Sequence, residues 1–366
     1  MLLSIILLTF IFVIGLCIGS FLNVVILRTV SEESIVFPAS KCPKCQTPLK
    51  WFHNIPVLSY ILLKGKCAFC KEHISIQYPI VEMVTALLFV GLFLRFCTPF
   101  DEFFGLSMIN PINTYQLIVY AFSLIVTFFL IAIAGTDIIE KKVSDAHTIP
   151  LIGVGILYSV IYAISSVVAY SKANGLPEFN LDFFLSCPIL YSTAAAIFGF
   201  LIMEAISRLG LVLVGNRAFG EGDSYIAAGI GAVFGALLGC SPLYTNFLPI
   251  LQVLLAILVL SGVIQIILTL PIFVKKLIAN KNWITLGSLL GFITYAIAYL
   301  FAQNLGWLHN QIAYWTSTIV LLAIGIFTCR ELICGIKENN NEGGLYLPFG
   351  PAMVIASFIA LFTIGF

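Results

Sequence analysis

Two acids and four cysteines carry the residue types and spacing for chemistry in this chain. Asp137 and Asp223 stand 86 positions apart, each where a long apolar run meets a segment with positive charge. Asp137 follows the run 118–136 and precedes Lys141 and Lys142, while Asp223 closes Gly220-Glu221-Gly222-Asp223 just before the apolar run from Tyr225. Peptide hydrolysis needs one carboxylate to take a proton from water and one carboxylic acid to give a proton to the carbonyl oxygen. Two like charges in close contact resist ionising together, so a converging pair shares a proton and offers both roles, and its titration belongs to the pair. Glycines at 220 and 222 leave the backbone beside Asp223 open to close approach by a substrate strand. A Gly-x-Gly-Asp string is weak by itself, because a helix N-cap aspartate looks the same. Its place opposite a second interfacial acid gives it weight.

The cysteines form the second constellation. Cys42-Pro43-Lys44-Cys45 is followed, after 21 residues, by Cys67-Ala68-Phe69-Cys70. Two Cys-x2-Cys pairs at this separation have tetrahedral metal spacing, each offering two thiolates from one tight turn. The polar stretch that holds them is too small to bury much core, so a structural zinc, or iron at the same tetrathiolate site, supplies the missing cross-link. Two disulfides are the alternative. His53 and His73 flank the tetrad, but four sulfurs already complete the shell. Cys17, Cys97, Cys187, Cys240, Cys329 and Cys334 show no pairing pattern and read as small apolar fillers.

The elements that must position these groups are membrane spans. Of 366 residues, 60% are hydrophobic and 10% charged, and the mean hydropathy is +1.08; soluble domains carry about 25% charged residues. A span needs about 20 apolar residues. Ten stretches qualify: 2–27, 78–96, 115–136, 149–170, 184–206, 224–240, 247–273, 284–302, 311–329 and 350–366. With that count, sixteen of the eighteen Lys and Arg residues fall in loops on one side, and only Arg95 and Lys172 fall opposite. Positive charge marks the cytoplasmic side. The N-terminus is therefore expected outside, with both aspartates and the cysteine loop at the cytoplasmic face, where reducing conditions disfavour disulfides. The first run is read as a retained span, because it continues for about 26 residues where signal cores have about 7 to 15. The net charge of +1 says nothing about partners.

Other acids near span ends read differently. Glu82 and Glu204 suit helix packing, with Arg208 or a backbone donor as partner. Asp145 and Glu221 lie near the pair and remain rivals to it, Asp145 better placed for solvation or capping.

Taken together, the residues resemble the bacterial type IV prepilin leader peptidases, bifunctional enzymes that cleave and N-methylate prepilins. The resemblance begins with Gly19-Ser20-Phe21-Leu22-Asn23 and runs on to Arg28. It continues through the cysteine pairs, with Asn54-Ile55-Pro56 between them, and through Tyr78-Pro79-Ile80-Val81-Glu82. It resumes at Asp137, at Gly220 to Asp223, and at Leu347-Pro348-Phe349-Gly350-Pro351. It implies a multispanning aspartyl protease of the Gly-x-Gly-Asp type that removes a basic leader after a glycine on the cytoplasmic side. Many such enzymes then methylate the new N-terminus from S-adenosylmethionine. By motif, Asp137 and Asp223 match the catalytic aspartates, and Cys42, Cys45, Cys67 and Cys70 the metal ligands. The implied partners are prepilin or pseudopilin helices and the lipid bilayer, with no nucleic acid.

Three features depart from the family pattern. Ser144-Asp145 stands where Pro-Asp is usual, Tyr225 stands where a Lys is common, and two extra spans precede the Pro-Phe-Gly-Pro block.

The expected fold is an all-α polytopic membrane protein of about ten transmembrane helices with a small cytoplasmic four-cysteine metal-binding loop domain. Its parts are a first helix (1–27), the zinc-binding domain (28–77), the peptidase core (78–282), a two-helix insertion (283–345) and a last helix (346–366). A transporter using interfacial acids is the rival reading, since acids and broken helices also describe ion pathways. Against it stand the lack of a visible inverted repeat and the gathering of the acids at one face. A third reading, an assembly protein docking through its metal loop, predicts that both aspartates tolerate alanine.

Overall fold

The computed structural model describes residues 2–37, 39–97, 114–140, 143–174, 187–214, 219–241, 247–279, 281, 283–304 and 348–364, with scattered positions between 316 and 327. Its elements are helical: α1 (Leu2–Val30), a 3-10 turn (Trp51–Asn54), α2 (Leu58–Leu62), α3 (Gln77–Cys97), α4 (Thr114–Glu140), α5 (Asp145–Asn174), α6 (Pro188–Val214), α7 (Glu221–Gly239), α8 (Phe247–Ala279), α9 (Trp283–Asn304) and α10 (Gly350–Thr363). Among the described residues there is no strand beyond two isolated bridges. Hydrocarbon offers backbone groups no hydrogen-bond partner, so an apolar run that satisfies its own N–H and C=O groups as a helix is the stable solution.

Seven of the described helices are long and apolar enough to cross a membrane, and apolar stretches of α9 and α10 are shorter. These nine correspond to nine of the ten expected spans; the remaining one, 311–329, lies largely outside the described residues. The fourth span begins at Asp145 rather than 149 because Ser144 caps it, its hydroxyl accepting the Ala146 N–H at 3.3 Å. Exposed residues such as Ile161, Ile164, Val259 and Ile266 leave an apolar outer surface suited to lipid.

The chain divides into two compact units. One holds Ala205–Phe219 and Val263–Leu347; within it the Tyr295 hydroxyl of α9 donates to the Ser317 carbonyl at 3.4 Å. The other holds Met1–Glu204, Gly220–Gly262 and Pro348–Phe366, and with them both aspartates and the four paired cysteines.

In that unit α7 is the central helix. Every residue from 226 to 238 is buried, the mark of a helix packed on all sides. Close approach is possible because its contact surface is small residues. Gly231 and Gly235 lie against the backbone of Ala195 and Tyr191 on α6, and Gly199 of α6 lies against Ala227. On the other side Gly229 receives Leu151 of α5, and Gly155 of α5 meets Ala232. These pairings make α6 antiparallel and α5 parallel to α7. Ser192 Oγ on α6 donates to the Ala232 carbonyl at 2.9 Å. Small residues and such a bond hold helices together where lipid removes the hydrophobic incentive.

A second seam joins α1 and α3, where Gly15 faces Ala86 and Gly19 faces Glu82. Asn23 Nδ2 donates to the Tyr78 carbonyl at 3.0 Å, and Ile11, Phe89, Leu92, Phe93 and Tyr120 form an apolar cluster nearer the other end. Arg95, one of the two exceptions to the charge asymmetry, ends α3 by donating to the carbonyls of Phe362 at 3.2 Å and Ile364 at 2.7 Å. It thereby satisfies the orphaned C-terminal carbonyls of α10.

Candidate active site and metal centre

Asp137 lies one turn before the end of α4, and Asp223 lies in the first turn of α7. Both are buried, at 1% and 2% exposure. That depth separates them from the rivals Asp145 and Glu221, which are exposed. The two carboxylates are close enough to feel one another's charge. Each is held by one backbone donor. The Asp223 carboxylate accepts the N–H of Gly220, the N-cap residue of its own helix, through Oδ2 at 3.1 Å. This is the reaching-back half of a capping box. Gly222 behind it lies flush against Val143, whose side chain a Cβ would overlap.

Asp137 is held from far away in sequence. The N–H of Gly350, the first residue of α10, donates to its Oδ2 at 2.9 Å. Helix N-termini present unsatisfied N–H groups and a positive dipole end, so this one suits a carboxylate. Pro351 at the start of the helix is in keeping with such a terminus. A Cβ on Gly350 would stand 2.5 Å from Asp137 Oδ2 and 3.1 Å from Ile226 of α7, so α10 abuts both aspartate-bearing helices at one point. Asp137 Oδ1 is buried with no hydrogen-bond partner. An orphaned buried oxygen of this kind is costly and leaves an acceptor open to a further donor.

Sequence reasoning left the donor to Asp137 unassigned. Gly350 stood in a matched block but without a role, and the signal available was Gly-Pro opening an apolar run, which announces a helix N-terminus. His147 was also passed over. It is buried at the start of α5 with Nε2 unpartnered. Tyr225 is partly exposed and packs its ring 5.4 Å from Phe200.

The other expected acids hold structure. Ser224 Oγ donates to Glu204 Oε2 at 3.4 Å, tying α7 to α6. Glu82 Oε2 accepts the N–H of Val57 at 2.7 Å. Val57 is the N-cap of α2 with φ +57°, so Glu82 anchors the cysteine segment to α3 at a strained residue.

The cysteine segment is built from two equivalent knuckles offset by 25 positions. In the first, Cys42 N–H donates to Thr47 O, Gln46 N–H to Cys42 O and Leu49 N–H to Ser40 O. In the second, Cys67 N–H donates to Glu72 O, Lys71 N–H to Cys67 O and Ile74 N–H to Gly65 O. Gln46 and Lys71 occupy matching left-handed positions, φ +56° and +63°. The knuckles bring the sulfurs of Cys42, Cys45, Cys67 and Cys70 within 4.8 Å of one another, with Cys42 and Cys70 3.9 Å apart. A tetrahedron with metal–sulfur bonds of about 2.3 Å has edges of about 3.8 Å. The geometry fits a four-coordinate metal with no position left for a substrate. Hydrogen bonds from the Thr47 side chain and backbone lower the Cys45 thiol to about 6, and those from the Cys70 and Phe69 backbone lower Cys67. At Cys70 the Glu72 backbone also lowers, but burial and the neighbouring thiols prevail and raise it to about 11.

Comparison with known proteins places this architecture. The bacterial peptidase A24 N-terminal domain matches residues 13–96, from α1 through the cysteine knuckles to α3. Several relatives are named prepilin leader peptidase/N-methyltransferase. That of Myxococcus xanthus is 33% identical over 63% of this chain and 57% of its own length. That of Neisseria gonorrhoeae is 30% identical over 61% and 72%. That of Klebsiella pneumoniae is 29% identical over 62% and 85%. The chain thus spans little more than half of the Myxococcus relative and most of the other two. No solved structure matches. Apolar helices, cysteine knuckles and extended similarity lead to one conclusion: this multi-pass membrane protein belongs to the prepilin leader peptidase/N-methyltransferase family.

Proposed function

We propose that the chain is a membrane aspartyl endopeptidase that removes the leader of prepilin-like proteins after a glycine, at the cytoplasmic face, and N-methylates the residue exposed. The observation that carries the peptidase half is that Asp137 and Asp223 are both buried and that the start of α10 touches the two helices bearing them. Backbone donors fix one oxygen of each, and Oδ1 of Asp137 is left unsatisfied.

In this reading one carboxylate accepts the proton of the attacking water, and its partner, carrying the shared proton, donates to the scissile carbonyl oxygen. The Gly350 and Gly220 N–H groups orient the carboxylates, so that little reorganisation is needed when charge develops. Burial keeps bulk water from the pair, and the apolar helices offer a lipid-level surface for the substrate's hydrophobic segment. The positive-charge asymmetry supports the cytoplasmic placement.

Zinc, or iron in the same shell, would be held by Cys42, Cys45, Cys67 and Cys70 and would cross-link the two knuckles; with four thiolates it closes the site and serves structure. S-adenosylmethionine supplies the methyl group when bound. No glycine-rich nucleotide fingerprint stands in the sequence, and the methylating half of the proposal rests on the relatives' names.

The test is a mass spectrum of a prepilin co-expressed with the chain, which reads leader loss and the gain of one methyl group separately. Normal processing by both Asp137→Ala and Asp223→Ala variants would refute the peptidase reading. Ion flux in proteoliposomes, abolished by the same changes, would instead establish the transporter.

A further inference from the structure

Far from the aspartates, the α6–α7 hairpin brings together two cysteines that the sequence leaves unpaired. The register follows from the packing already described. Gly199 meets Ala227, Gly231 meets Ala195 and Ala196, and Gly235 meets Tyr191 and Ser192. Positions count down on α6 as they count up on α7. One more step brings Gly239 against the Cβ and ring of Tyr191. Cys187 is one turn before Tyr191, with its carbonyl accepting the Tyr191 N–H at 3.4 Å, and Cys240 directly follows Gly239 as the C-cap of α7. The same register sets Cys187 against Gly239, so that Cys240, the next residue, lies beside it at the end of the hairpin. Both line one open pocket of about 490 Å³, with Tyr162 and Ser166 of α5 along its third side.

We propose that Cys187 and Cys240 form a disulfide at the outer face of the membrane, closing the α6–α7 hairpin at the end away from the aspartates. The compartment rests on the orientation given under the proposed function, which puts this end in an oxidising space. The oxidant is a dithiol–disulfide oxidoreductase of that space. Cys187, the more accessible of the two, attacks as thiolate on the oxidant's disulfide. One oxidant sulfur leaves as thiolate and a mixed disulfide forms. Cys240, deprotonated in turn, attacks the Cys187 sulfur and expels the second oxidant thiolate. Two thiols of this chain are oxidised, one disulfide of the oxidant is reduced to a dithiol, and two protons are released here and taken up there.

The consequence is a division of labour along α7. Its first turn carries Asp223, and its last is tethered to the start of α6. A covalent tie at the far end restricts how far α6 and α7 separate without touching the carboxylates.

The experiment uses the full chain in its membrane. Cells are quenched with N-ethylmaleimide, and the digest is analysed by mass spectrometry with and without reductant. The expected result is a peptide pair joining Cys187 to Cys240, lighter by two hydrogens and separated by reduction. Alkylation of both thiols in the quenched sample would overturn the proposal. The Cys240→Ser variant in intact cells, treated with a membrane-impermeant maleimide, reads the side independently. Labelling of Cys187 is expected. Labelling only after permeabilisation would overturn both the disulfide and the orientation, whereas labelling of Cys187 without a native cross-link would overturn the disulfide alone. Reduction of the wild-type chain is expected to lower its unfolding temperature and to leave prepilin cleavage unchanged.

Discussion

The cysteine knuckles and the aspartate pair solve one task, holding reactive side chains in register, by opposite means. The four sulfurs come from residues 42–70, through two hairpins whose hydrogen bonds run between residues at most nine apart. The acids come from positions 137 and 223, with a donor at 350. The first arrangement is local and has the geometry for a single cation to close it. The second is global, and α4 and α10 must be docked before Asp137 has its donor, with α7 carrying the second acid beside them. A local site can fold and fail by itself, while a global site reports on the packing of the whole unit.

Removing the metal should produce the largest energetic effect, confined to the knuckles. Structural zinc contributes about 10 to 16 kcal/mol in small peptides. Chelation or the Cys42→Ser, Cys67→Ser double change should therefore abolish bound metal, measured by elemental analysis, and open residues 40–74 to protease while the helices stay intact. Retention of metal by the double variant would remove the tetrathiolate centre. Next comes the aspartate pair. Asp137→Asn or Asp223→Asn keeps size and packing but removes proton transfer, and cleavage should fall by about 10³-fold or more. Both proteins should remain at wild-type abundance in membranes.

Gly350→Ala sharpens the contrast, because it alters no ionisable group. Its methyl would crowd Asp137 Oδ2 and Ile226, costing about 1 to 3 kcal/mol and, through the displaced carboxylate, about tenfold in cleavage or more. Unchanged kinetics would show that the α10 donor is dispensable. Glu82→Ala strips the Val57 N–H of its partner, at about 1 to 3 kcal/mol. Its effect should be seen in hydrogen exchange of the cysteine segment rather than in the pair. Smallest of all, Gln46→Gly and Lys71→Gly relieve left-handed strain and should each raise metal-bound stability by about 0.5 to 1 kcal/mol, read by thermal unfolding.

The two regions were also legible to different degrees. Two Cys-x2-Cys pairs state their own geometry, and the structure gathers their sulfurs as expected. The 25-residue repetition of the knuckles was not visible, because it lies in backbone hydrogen bonds and in matching φ values at unlike residues, Gln46 and Lys71. Apolar runs located the helices because their length is set by the bilayer. The start of α5 shifted by four residues because a local cap at Ser144 decided it. Cys187 and Cys240 read as fillers, since neither lies in a spaced pair.

The sequence alone determined that the chain is helical and membrane-spanning, that four cysteines with metal-ligand spacing stand between the first two spans, and that two acids lie at span ends. Those properties follow from composition and short-range spacing, which act without knowledge of distant contacts. Only the tertiary structure decided that both aspartates are buried, that Gly350 holds one of them while touching the helix of the other, and that α7 is the buried axis. The physical reason is that helix packing in lipid depends on which small residues face one another. That pairing of distant surfaces emerges only when the helices are docked.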